Sequence, residues 1–257
     1  MIRYGVSKER GLRKSYRKLT EEIKTDGERL KLIAALGSSD DLAYHYALIC
    51  EDWAAGGKLL LENSFDRHGE AGIVFLLERL RAFGTASKTD ESAAAGTATD
   101  TAYLAAKILS QLRHRDFYAA RAKELAALLT ARWEIRDIAL RRKQIIALGW
   151  IGSESEINLL IDSMQSDSDA LCRAWAAAAL MQLSFHGVDA AFLRERTKTA
   201  FAEAIQKEGD LNAAGIMIEA AQTLFGKKWI SAAAAEAAKS ESIEKARKSA
   251  LRFLGKA

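Results

Sequence analysis

Apolar residues return every three or four positions through one segment after another. Ile73, Leu76, Leu77 and Leu80 form one such stripe, and Ile157, Leu160, Ile161 and Met164 a second. Cys172, Ala176, Ala179 and Leu183 form a third, and Met217, Ala220, Ala221 and Leu224 a fourth. Each stripe occupies one side of a helix and demands cover from a neighbour. Breaks rich in Gly, Ser and Asp separate the stripes, at Gly37-Ser38-Ser39-Asp40, Gly152-Ser153 and Ser166-Asp167-Ser168, and supply residues that end and begin helices. Ser153 followed by Glu156 fits a capping box, the hydroxyl accepting from the first turn while the carboxylate reaches back. The pattern predicts helices over 8–24, 28–37, 40–55, 58–63, 69–83, 100–112, 116–131, 135–149, 154–165, 169–184, 188–207, 210–225, 228–238 and 241–254. Alanine and leucine abound, β-branched runs of strand length are lacking, and the expected class is all-α.

One segment breaks the rhythm. Residues 84–99 are small and polar, with no apolar period, and read as a flexible insertion loop. The same kind of helix pair lies on both sides of it, so the expected organisation is a single domain over 1–257.

The chain also echoes itself. Asp137-Ile138-Ala139-Leu140-Arg141 matches Asp169-Ala170-Leu171-Cys172-Arg173 at an offset of 32, and Ala147-Leu148 matches Ala179-Leu180 at the same offset. That is the length of one helix pair. With Gly149, Ile151-Gly152 and Leu159-Leu160 between them, residues 137–183 resemble two successive short HEAT-like repeats, the variety also found in phycobilin lyase subunits. The family usually places a proline early in the second helix, where this chain has Glu156. The resemblance implies a right-handed α-solenoid of stacked antiparallel helix pairs, because amphipathic hairpins that cannot cover their own apolar faces stack on one another. Asp137 with Arg141 and Asp169 with Arg173 sit at i, i+4 on one helix face, where each carboxylate favours its guanidinium, and the resemblance implies that these pairs form a polar ladder between repeats.

Composition narrows the chemistry. The two cysteines, Cys50 and Cys172, are far apart, which gives neither a disulfide framework nor a zinc pattern and points to a reducing, cytoplasmic setting. The histidines at 45, 68, 114 and 186 lack metal spacing, no phosphate-binding glycine loop or nucleophile elbow is present, and neither a metal nor a cofactor is expected. No apolar run is long enough for a membrane span. Proline is absent altogether. The best enzymatic constellation is Glu51, Asp52 and Trp53, with Trp133, Glu134, Trp150 and Trp175 further on, since a carboxylate among aromatic rings can stabilise a cationic sugar or base. No catalytic residue is assigned from it.

Charge is mixed overall, 38 basic residues against 34 acidic, but uneven locally. Residues 113–143 carry nine Lys or Arg against four acids, and residues 1–31 carry ten against five. Residues 151–170 carry five acids and no base. An excess of +5 beside one of −5 suits a protein partner with complementary patches better than a continuous phosphate backbone. The expected function is therefore a non-catalytic binding scaffold or adaptor that takes a protein partner on the concave face of the solenoid. Its expected partner-binding residues are Arg132, Trp133, Arg136, Arg142, Lys143, Trp150 and Trp175. The alternative is a nucleic-acid-binding HEAT-like protein, with a DNA-repair glycosylase as its enzymatic form, contacting phosphates through segments 1–31 and 113–143. A third reading is a subunit assisting a tetrapyrrole lyase.

Overall fold

The computed structural model describes residues 14–85, 104, 105, 107–109, 116–131 and 138–255. Among them every regular element is helical. The chain divides into two compact units, Met1–Tyr118 and Ala119–Ala257.

The first unit begins with α1 (Tyr16–Glu22), α2 (Asp26–Gly37) and α3 (Leu42–Ala54). Each has a side-chain N-cap, from Ser15, Thr25 and Asp41 in turn, and Thr25 forms a full capping box with Glu28. A 3₁₀ stretch, Leu61–His68, then leads into α4 (Gly69–Thr85). An α-helix was expected at 58–63, but Gly56, Gly57 and Leu60 have positive φ, and a chain in that left-handed region cannot begin a helix until Leu61. The 3₁₀ stretch packs against α2, α3 and α4 and forms the centre of the unit. Its Leu61 and Phe65 are sealed from solvent together with Ile73, Leu76 and Leu77 of α4. Gly84 and Thr85, expected in a loop, continue α4, while 86–99 lie outside the described residues.

The second unit contains all but the first three residues of α5 (Asp116–Thr130), and α6 (Ile138–Ile151), α7 (Ile157–Ser166), α8 (Ala170–Phe185), α9 (Ala190–Lys207), α10 (Leu211–Leu224), α11 (Ala232–Glu236) and α12 (Ser240–Leu254). The expected capping box opens a 3₁₀ turn, Glu154–Glu156, that leads into α7, with Glu156 accepting from the Ser153 amide at 2.7 Å. The expected helix at 228–238 shrinks to α11 because the Gln222 side chain already binds the amides of Trp229 and Ile230, leaving Ser231 as the N-cap.

Packing in this unit follows alternate helices. α8 lies between α6 and α10, α10 also touches α12, and α7 and α9 back the row from one side. Two contacts fix the direction of α6 relative to α8. Arg142, near the start of α6, bonds Asp169 at the start of α8, and Trp150, near the end of α6, stacks on His186 just past α8. The two helices therefore run parallel, as equivalent helices of successive repeats do. Their closest approach is Gly149 against Ala179: a Cβ added at Gly149 would lie 2.7 Å from the Ala179 Cα. The expected stripes of α7, α8 and α10 supply the core, with Leu160, Met164, Cys172, Ala176, Leu183, Met217 and Ala221 all buried.

Candidate functional site

The row α6, α8, α10 has one side that neither α7 nor α9 covers. On α8 that side carries Leu171, Trp175, Ala178, Gln182 and Phe185, spaced at three and four residues. Trp175 is 37% exposed and Phe185 63%. The parallel register brings Lys143, Ile146 and Trp150 of α6 to one flank and Ile216 and Glu219 of α10 to the other, all at least partly exposed. Trp150 is 37% exposed, and its ring centroid lies 4.7 Å from that of His186. The face is thus largely apolar, with one lysine and one glutamate at its sides.

Of the seven expected partner-binding residues, Lys143, Trp150 and Trp175 share this face. Arg132, Trp133 and Arg136 lie outside the described residues. Arg142 turns to the helix ends, where its guanidinium grips both oxygens of Asp169 at 2.8 Å. Asp169 also caps α8 through the Cys172 amide, and the guanidinium and that amide hold its carboxyl well below the usual range.

Arg142 belongs to a ladder along the N-terminal ends of the row. Arg141 bonds Asp167 through two 2.8 Å contacts, and Arg173 bonds Glu208 at 2.7 and 2.9 Å. Each carboxylate also accepts from the amide two residues on, Asp169 and Asp210, both N-caps. Burial alone would raise the Glu208 carboxyl, but the guanidinium and the Asp210 amide bring it below its ordinary value. The expected ladder is present with different partners. Asp169 and Arg173, expected to pair within one helix, reach instead to neighbouring repeats, and Asp137 lies outside the described residues. The pairs Asp167-Ser168-Asp169 and Glu208-Gly209-Asp210 carried the missed signal, an acid two residues ahead of an N-cap acid. A half-open cleft of about 250 Å³ beside this ladder is lined by Met164, Gln165, Asp167, Arg173, Lys207 and Glu208. Three of its four charged groups already bond within the ladder.

In the first unit the carboxylate-and-aromatic constellation is a packing device. Asp52 is fully buried, accepting from the Tyr16 hydroxyl at 2.7 Å and from the Leu59 amide at 3.0 Å. Burial and that hydrogen bond raise the Tyr16 phenol well above its ordinary value. Glu51 is exposed, and the Trp53 ring carries the Lys107 ammonium 3.5 Å from its centroid. No spacing rule indicated what happens to two of the histidines. His45 is fully buried; its Nε2 faces the Leu61 carbonyl at 3.0 Å and its Nδ1 lies 2.8 Å from His68 Nε2. A carbonyl only accepts, so His45 Nε2 carries the proton and Nδ1 accepts from His68. Burial pulls the His45 imidazole down to about 4 and lowers His68 as well. Among the described residues no group of three or more His, Cys, Asp or Glu could hold a metal ion, and no helix is long and apolar enough to cross a membrane.

Parallel alternate helices joined by an arginine ladder and backed by a second layer define a helical-repeat protein. Comparison with protein families supplies the kind: the model for HEAT repeats matches residues 92–181, and that stretch is similar to HEAT repeats. No curated protein and no solved structure matches the chain.

Proposed function

We propose that this protein is a non-catalytic scaffold that binds a protein partner on the open face of α6, α8 and α10. The observation that carries the reading is the pair of half-exposed tryptophans, Trp150 and Trp175, on helices that bury Ile145, Leu148, Cys172, Ala176 and Leu183 in the core. Tryptophans anchored on rigid helices supply large contact area with little ordering on binding, which is why such rings dominate interface energetics. The surrounding Ile146, Ala178, Ile216 and Phe185 extend the apolar surface, and Lys143 and Glu219 give it a rim of both signs. HEAT repeats generally serve as protein-interaction scaffolds, in agreement with this use of the face.

Nucleic-acid binding finds less support. Arg141 and Arg142, two of the cations in segment 113–143, are already saturated by Asp167 and Asp169.

The test is capture from cells of the source organism with wild-type chain and with the Trp150→Ala/Trp175→Ala variant. A protein retained by the wild type and lost by the folded variant is expected, and its affinity should fall at least about tenfold, since truncating an anchor costs upward of about 1.4 kcal/mol. Equal retention by both would refute the assignment of this face.

A further inference from the structure

A second surface lies at the far end of the row, where α9, α10 and α12 meet. There an aromatic chain runs from the core outward. Phe201, fully buried, contacts Phe225 at 6.0 Å; Phe225 contacts Phe253 at 6.1 Å; and Phe253 contacts Trp229 at 5.8 Å. Phe253 and Trp229 are half-buried at the surface. Two ammonium groups from different elements converge on the Phe253 ring, Lys227 Nζ at 4.6 Å and Lys198 Nζ at 5.9 Å from its centroid. One turn before Lys198 on the same face of α9, Arg194 bonds the Leu224 carbonyl at 2.9 Å, which places it beside the loop that carries Lys227 and Lys228. Among the described residues Arg194, Lys227 and Lys228 form no ion pair, and Glu195 is the one acid in these two stretches, 194–198 and 226–230.

The loop is held in place. Gly226 turns the chain with φ +62, the Lys227 amide donates to the Gln222 carbonyl at 2.8 Å, and the Gln222 side chain accepts from Trp229 and Ile230 at 2.8 and 3.0 Å while donating to the Ile230 carbonyl. Lys227 and Lys198 approach one ring, so an anion arriving there meets two ammonium groups without requiring the loop to reorganise.

We infer that Lys198 and Lys227 at the Phe253 ring, with Arg194 on the neighbouring turn of α9 and Lys228 next along the loop, form a docking patch for a short acidic segment of a protein partner. Charge complementarity selects an anionic ligand, and the ring contacts select a peptide over a nucleic-acid strand: the Phe253 ring, on which a base would stack, already carries two ammonium groups.

The test uses fluorescence anisotropy with three labelled probes: octaglutamate, octaglutamine and an eight-nucleotide oligothymidylate. Octaglutamate should bind the full chain at 50 mM salt, weaken as salt rises, and lose about tenfold or more in affinity to Lys198→Glu/Lys227→Glu. The neutral variant Lys198→Ala/Lys227→Ala should lose less, and Lys18→Glu/Lys31→Glu in the first unit should lose nothing. Trp150→Ala/Trp175→Ala should also bind octaglutamate normally, which separates this patch from the open face. The inference is overturned by any of three results: no octaglutamate binding at 50 mM salt, binding that the charge reversal leaves unchanged in a variant with wild-type circular dichroism, or tighter binding of oligothymidylate than of octaglutamate.

Discussion

Glu208 is the residue on which the ladder turns, because its side chain is only 1% exposed and its charge depends on Arg173. Removing the guanidinium leaves a buried carboxylate uncompensated, a loss of roughly 3 kcal/mol. Arg142 and Asp169 reach further into solvent, and exposed pairs contribute about 1 kcal/mol or less. Urea denaturation should therefore show Arg173→Ala shifting the second unit's midpoint well beyond Arg142→Ala; equal shifts would mean that Glu208 finds other cover. Glycines give a second contrast. Gly149→Ala places a methyl 2.7 Å from the Ala179 Cα and should cost about 1–3 kcal/mol in the same assay. Gly209→Ala meets nothing within 4 Å at a residue without positive φ and should be neutral or stabilising by up to about 1 kcal/mol.

At the scale of elements, the two units respond to acid for different reasons. In the first, the 3₁₀ stretch is tied to α3 by His45, which stays neutral in the fold down to about pH 4, although an unfolded imidazole takes a proton near 6.5. Between those values the unfolded state binds more protons, so stability is full above about 6.5 and declines as pH falls, by about 3 kcal/mol at pH 4. Asp40 and Asp66 favour the charged form of His68 but do not outweigh its burial. In the second unit the lowered carboxyls of Asp169 and Glu208 act in the opposite range. Their contribution is present above the ordinary carboxylate value and fades only as pH drops below it. Hydrogen exchange followed by mass spectrometry at pH 7 and pH 5 should show faster opening of peptides covering 42–68 at the lower pH, with those covering 170–224 unchanged. A His45→Gln chain should show a weaker pH response, the remainder coming from His68. Uniform acceleration in both units would count against the buried-imidazole cause.

The helices themselves were legible because burial imposes a period. Leu76, Leu160, Leu183 and Met217 could be placed on inner faces from spacing alone. What spacing could not give was partnership between elements. Arg141 to Asp167 spans 26 residues, Arg173 to Glu208 spans 35, and the His45–His68 pair spans 23 across a left-handed Leu60. The candidate site was half legible for the same reason. Trp150 and Trp175 were visible as residue types, but their exposure follows from which sides of α6 and α8 the backing helices cover.

For the molecule as a whole, the question is whether the open face of α6, α8 and α10 is where a partner sits. A helical row covered on one side and apolar on the other, with rings half in solvent, has the form of an unfilled interface. The most direct measurement is site-specific photocrosslinking in cells of the source organism, with a benzophenone side chain placed at Ile146 or Ala178 on the open face and at Asp162 or Gln206 on the backing helices. A discrete adduct with one protein at 146 and 178, absent at 162 and 206 and abolished by Trp175→Ala, is the expected result. Adducts of equal yield at all four positions, or adducts confined to 162 and 206, would contradict it.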